Sequence, residues 1–194
     1  MDFQTTKEFI LSRLGKELSP KLHYHCYEHT IQVAESIAII AEAEQVQGSD
    51  LMLLLTAALF HDCGFMEVYQ EHEKQGCEIA RKHLPDFGYS NQEIEQICGM
   101  IMATKFPQQP QNELEEIICD ADLSYLGGEN IAVTARNLFL ELLEYNLIDT
   151  EENWNRMQLA FLKSHSYFTP YARKSLEPRK EGYLQEIKDI VSSY

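Results

Sequence analysis

Residues 51–60 form a run in which only Thr56 is polar, and the run ends on His61-Asp62. A helix that is apolar on every side cannot lie on a surface, so the rest of the chain has to wrap it. At ten residues the run is about half the length that spans a bilayer, which predicts a buried central helix over 51–61 rather than a membrane segment. Ser49 and Asp50 offer an N-cap for it, and Gly64 offers a stop.

The flanking sequence is helical in its apolar spacing. Phe9, Ile10 and Leu14 mark a first helix that closes near Ser19-Pro20. A loop carrying His23, Tyr24 and His25 leads into a second helix, where Ile31, Ala34, Ile37, Ala38 and Ala41 recur at steps of three and four, ending by Gly48. Further helices are predicted at about 71–83, 91–103, 112–125, 130–145, 151–164 and 177–191. The Pro-rich stretch 106–111 reads as a surface loop, and Gly127-Gly128 as the end of the helix carrying Asp120 and Asp122. No stretch alternates as a strand would, so the expected fold class is all-α. One domain is expected over 1–194, with a core of about 22–127 and a helical extension of about 128–194.

Charge and cysteine usage narrow the function classes. A net charge of −15 argues against a partner that is a nucleic-acid polymer, since that affinity comes from clustered Lys and Arg. A small anionic ligand stays compatible if a bound cation reverses the local field. The five cysteines are odd in number and lack a CxxC pair, which indicates neither a disulfide framework nor a zinc ribbon. With no basic and apolar leader in Met1-Asp2-Phe3-Gln4, the expected location is cytoplasmic.

The chemistry concentrates in three places. His61 and Asp62, at the end of a buried helix, are desolvated unless paired, either by hydrogen bonds or by a metal ion. His25 and His29 lie four apart and project to one side of a first turn if both are helical. Asp120 and Asp122 are two apart and therefore diverge by about 200° on a helix, so one of them at most faces a shared ion.

The segments Tyr24-His25-Cys26-Tyr27-Glu28-His29-Thr30, Ala57-Ala58-Leu59-Phe60-His61-Asp62-Cys63-Gly64 and Asp120-Ala121-Asp122-Leu123-Ser124-Tyr125-Leu126-Gly127 together resemble the HD-domain superfamily of metal-dependent phosphohydrolases, over about half of the chain. That resemblance implies an HD-domain-like helical bundle with additional C-terminal helices. It implies a divalent metal ion held by His29, His61, Asp62 and Asp122, and the Ala-Asp-Leu setting favours Asp122 over Asp120, which takes a supporting role. Two imidazoles and two carboxylates suit Mn, Fe, Mg, Zn, Ni or Co alike, with coordination positions left for water and a phosphoryl oxygen. Asp62 is then a candidate to orient or deprotonate that water.

Tyr24-His25 ahead of His29 further resembles the Tyr-His motif of class I cyclic nucleotide phosphodiesterases, which implies His25 as general acid. His72 resembles the histidine that brings a second metal in binuclear members. Those members add another histidine where this chain has Ala103-Thr104-Lys105, so one ion is preferred, with His72 and Lys105 as possible second-metal or phosphate contacts. Residues 165–173 are a candidate aromatic wall, and Trp154 is expected to pack the C-terminal helices. The reaction implied is hydrolysis of a nucleotide or related small phosphate ester by a metal-activated water. The alternatives are a non-catalytic ligand-sensing domain and, requiring extra histidines, a di-iron oxygenase. The Glu-Asp pair of stringent-response hydrolases is missing after the His-Asp doublet, so their guanosine substrate is not indicated.

Overall fold

The computed structural model describes residues 1–194 and contains ten α-helices and no β-strand. They are α1 (Phe3–Glu17), α2 (Tyr27–Ala43), α3 (Ser49–Phe60), α4 (His72–His83), α5 (Asn91–Ala103), α6 (Glu113–Asp122), α7 (Ile131–Glu144), α8 (Glu151–Ser164), α9 (Pro170–Ser175) and α10 (Glu177–Ser192). Polar caps set several of the starts. Asp2 accepts the Thr5 amide, Ser90 and Glu93 form a reciprocal capping box, and Asn112, Thr150 and Thr169 cap α6, α8 and α9.

As the apolar run requires, α3 is central. Leu53, Leu54, Ala57, Ala58, Leu59 and Phe60 are each no more than 3% exposed, and α1, α2, α4, α5 and α6 pack around them. The stretch 49–66 is apolar enough by length and composition to cross a membrane, but 67% of it is buried inside this core. A second core joins Leu126, Phe139, Trp154, Leu162, Tyr167, Tyr183, Leu184 and Ile187 from α7, α8, α10 and the segments beside them.

Several local features depart from the sequence reading: α6 stops at Asp122, short of Tyr125 and of Gly127-Gly128, and gives way to a 3-10 turn at Ser124–Gly127, and α9 is not among the predicted helices. Gly48, not Ser49 or Asp50, occupies the N-cap of α3: its φ of 65° turns the chain straight into the helix, so Ser49 is already helical. α3 stops at Phe60, four residues ahead of Gly64. His61 keeps helical dihedrals, Asp62 leaves them at φ −105° and ψ 4°, and a 3-10 turn follows at Cys63–Met66. Finally, α2 starts at Tyr27 with Cys26 as its cap, so His25 lies outside the helix that carries His29.

Gly64 has a different reason to be glycine. A Cβ on it would lie 1.9 Å from the backbone oxygen of His72 and 2.9 Å from the Gly76 nitrogen, so the turn after Asp62 rests directly on the backbone of α4. Gly182, exposed within α10, meets nothing within 4 Å. We expect Gly64→Ala to destabilise the protein by about 1–3 kcal/mol in urea unfolding, through forced displacement of packed backbone. Gly182→Ala should instead stabilise it by about 0.5–1 kcal/mol, because it only removes unfolded-chain freedom. Equal effects at the two sites would contradict this account of Gly64.

Candidate metal centre

Three helix ends bring the candidate ligands together. The first turn of α2 supplies His29, the residues that leave α3 supply His61 and Asp62, and the last residue of α6 supplies Asp122. His29 Nε2 lies 3.1 Å from Asp122 Oδ1, 3.4 Å from His61 Nε2 and 3.5 Å from Asp62 Oδ2. His61 Nε2 lies 3.1 Å from Asp62 Oδ2 and 3.5 Å from Asp122 Oδ1. Ligand atoms of His29, His61 and Asp122 all fall within 4.8 Å of one another, and Asp62 joins them through the two imidazoles.

The donor set fits a divalent cation. Ligands about 2.1 Å from an ion stand about 3.0 Å apart at right angles and about 3.4 Å apart in a tetrahedron, the range of the separations here. His61 Nδ1 must donate to the Ala58 carbonyl, at 2.7 Å, so in the neutral ring the Nε2 lone pair faces the cluster. Asp62 Oδ2 is buried with no hydrogen-bond partner. Lone pairs and carboxylate oxygens packed this closely in a largely buried site favour positive charge among them. The titration behaviour reflects the same demand. Burial opposes charge on Asp62, yet the His61 imidazole, then His25 and His29, hold its carboxyl well below the usual range. Burial opposes charge on Asp122 too, and bonds to His29 and His61 bring it to about 2. His61 is driven well above its ordinary value by Asp62 and Asp122, against the effect of burial.

His25 reaches the same place from the loop before α2. Its Nδ1 is paired at 2.5 Å with Oε1 of Glu141, a fully buried carboxylate on α7. Oε2 of Glu141 also accepts the backbone N–H groups of Tyr24, at 2.9 Å, and His25, at 3.0 Å, and Tyr69 donates its hydroxyl to Oε1 at 3.0 Å. Burial disfavours the charged ring of His25, but Glu141 and Asp62 outweigh it and raise its pKa. The Phe65 ring packs against both the His25 ring, at 4.4 Å, and the His72 ring, at 3.8 Å, which are themselves 6.0 Å apart. His72 Nε2 stands 3.5 Å from the second oxygen of Asp62 and 3.5 Å from Glu73.

Glu141 was missed in the sequence because its partners, Tyr24, His25 and Tyr69, are 72 to 117 residues away. The only local sign is one carboxylate inside Leu138-Phe139-Leu140-Glu141-Leu142-Leu143, on the side of α7 that is buried.

Other sequence candidates fall elsewhere. Asp120 diverges from Asp122 and accepts the backbone N–H groups of Phe168, at 2.9 Å, and Thr169, at 2.7 Å, tying down the segment before α9. Burial pushes its pKa up to about 6 despite those amides. Lys105 is paired with Glu71 and does not line the cavity next to the centre. Of residues 165–173 none lines it either: Tyr167 is core, and Arg173 donates to the Tyr167 carbonyl. The aromatic wall comes instead from Trp154, Phe161, Phe106 and Tyr125, and Trp154 also stacks on Phe139 within the second core, 5.8 Å between centroids. The cavity encloses about 530 Å³ and runs from His25, Asp62, His72 and Asp122 to the inner faces of α7, α8 and α10.

Comparison with known proteins bears on the family and the fold. The family model described as HD domain matches residues 26–124, just over half of the chain. No curated protein matches the sequence. Among solved structures, a predicted HD superfamily hydrolase from an uncultured Thermotogales bacterium superposes with a TM-score of 0.61 at 19% identity, covering 98% of this chain and 91% of that one. Bacillus subtilis YpgQ in complex with ADP, and the same protein without it, superpose with a TM-score of 0.65 at 20% identity, covering 100% of this chain and 97% of theirs. These likenesses show a shared fold, and with the family match they establish that this chain belongs to the HD-domain family.

Proposed function

We propose that the protein is a metal-dependent phosphohydrolase that cleaves a nucleotide or related small phosphate ester. The observation carrying this reading is the convergence of two imidazole Nε2 atoms and two carboxylates, one with an orphaned buried oxygen, at the inner end of a cavity of about 530 Å³. His29, His61, Asp62 and Asp122 would hold one divalent cation. When bound, that cation supplies a water acidic enough to attack near neutral pH and neutralises charge gathering on phosphorus.

The remaining steps belong to the chain. Asp62 turns one oxygen to the ligand cluster and the other toward His72, so it can orient the attacking water. His25 has Nδ1 committed to Glu141, which leaves Nε2 to donate a proton to the leaving oxygen. Glu141 acts through His25 as a positioning residue. Because Glu141 and part of the cavity wall come from beyond residue 128, the C-terminal helices are proposed to belong to the same catalytic unit as the core. The ADP held by the Bacillus subtilis protein of the same fold supports a nucleotide-like ligand. Thr104 lines the cavity near where binuclear relatives carry a further histidine, which favours a single ion and weighs against an oxygenase.

Purified Asp62→Ala should contain no stoichiometric metal by elemental analysis and release no phosphate from any ester, whereas His25→Ala should keep its metal and lose about 10²–10⁴ in kcat. Full activity in Asp62→Ala would reject the proposal. Glu141→Gln adds a test by pH. A general acid works while protonated, so rate falls as pH rises through its pKa, and Glu141 holds that pKa above the ordinary imidazole value. Glu141→Gln should therefore move the alkaline limb of the kcat profile to lower pH, and an unmoved limb would remove His25 as the acid.

A further inference from the structure

None of the twenty-two residues lining the cavity is a lysine or an arginine, and thirteen are hydrophobic. Four cations on the surrounding elements are engaged elsewhere: Lys105 with Glu71, Arg156 with Glu152, Arg136 over the Phe139 ring, and buried Lys180 with the His165 carbonyl and Glu177. Sites that bind di- and triphosphates match the added charge with guanidinium or ammonium groups. Here the ionisable groups open to a second or third phosphoryl group, the tyrosines aside, are the carboxylates of Asp62, Glu73 and Asp122 and the imidazoles of His25 and His72, with neutral donors such as Thr104, Gln108 and Ser164 beside them. One phosphoryl group uses the positive charge available.

The far end of the cavity is selective in another way. Trp154 and Phe161 supply aromatic surface, which favours an uncharged, planar body over a bare sugar. The polar fixed point there is the amide of buried Gln158, which accepts from the Tyr183 hydroxyl at 3.0 Å and donates to Asn155 at 3.1 Å. An amide has two donor hydrogens and two acceptor lone pairs, so one of each stays uncommitted, a pair that suits the edge of a heterocycle.

Resting on the proposed hydrolysis, and departing from the diphosphate of the ADP that the Bacillus subtilis protein holds, we infer that the substrate is a phosphate monoester carrying a single phosphoryl group on a planar, uncharged organic body, with nucleoside monophosphates inside the class and nucleoside di- and triphosphates outside it. In that reaction the water oxygen bonds to phosphorus as the ester P–O bond breaks. The leaving oxygen takes the proton of His25, the water returns one proton to His25, and the products are the free alcohol and inorganic phosphate.

The test is a panel on the metal-loaded protein: a nucleoside 5′-monophosphate, its di- and triphosphate, 1-naphthyl phosphate and ribose 5-phosphate. kcat/KM should be at least about tenfold higher for the nucleoside monophosphate than for its di- and triphosphate, and the two aromatic monoesters at least about tenfold better than ribose 5-phosphate. A second readout does not need turnover. Trp154 is the sole tryptophan and lines the cavity, so hydrolysis-resistant phosphonate analogues should quench its fluorescence in the same order. If triphosphate is cleaved as well as monophosphate, the hydrolase reading stands and this inference falls. If nothing is cleaved but the monophosphonate alone quenches Trp154, the hydrolase reading falls and the ligand class stands. Neither cleavage nor quenching would overturn both.

Discussion

The structure is organised around charge that cannot be left alone. Two carboxylates and two imidazole nitrogens meet at separations of 3.1–3.5 Å, largely buried at the inner end of the cavity. The helices deepen the problem. Asp62 follows the C-terminal end of α3 and Asp122 ends α6, so both sit where backbone carbonyls already concentrate negative potential. Such an arrangement persists only if positive charge occupies its centre, and a divalent cation supplies more of it in less space than protons do. The ends of α2, α3 and α6 therefore have to arrive together, and the core around α3 holds them there.

The C-terminal helices complete what the core begins. Glu141 on α7 gathers the Tyr24 and His25 amides, the His25 ring and the Tyr69 hydroxyl onto one buried carboxylate, so the loop before α2 has its shape fixed from outside the core. Asp120 does the converse, reaching from α6 to fasten Phe168 and Thr169. These two carboxylates stitch the halves across the cavity. The same helices bring part of its apolar wall, beside Phe106, Leu123, Tyr125 and Leu126 from the core.

How much of this was legible in sequence follows the range of each interaction. The burial of α3 was readable because a run apolar on all sides admits few other fates, and most helices were readable because their apolar faces repeat. His29, His61, Asp62 and Asp122 stood out as words in a family pattern. Gly64 was legible only as a glycine: read as a helix stop, it is required by the His72 carbonyl, a tertiary contact with no local trace. Lys105 looked free for phosphate, and its commitment to Glu71 depends on how α4 and α5 pack. Glu141 was lost for the same reason, since its value lies in partners that a linear reading cannot bring near.

The most direct measurement is an anomalous-difference map from crystals loaded with Mn²⁺. The account predicts a single strong peak among His29 Nε2, His61 Nε2, Asp62 Oδ2 and Asp122 Oδ1, at about 2.0–2.3 Å from each nitrogen and oxygen. A map with no peak there, or with the ion held by other side chains, would contradict it.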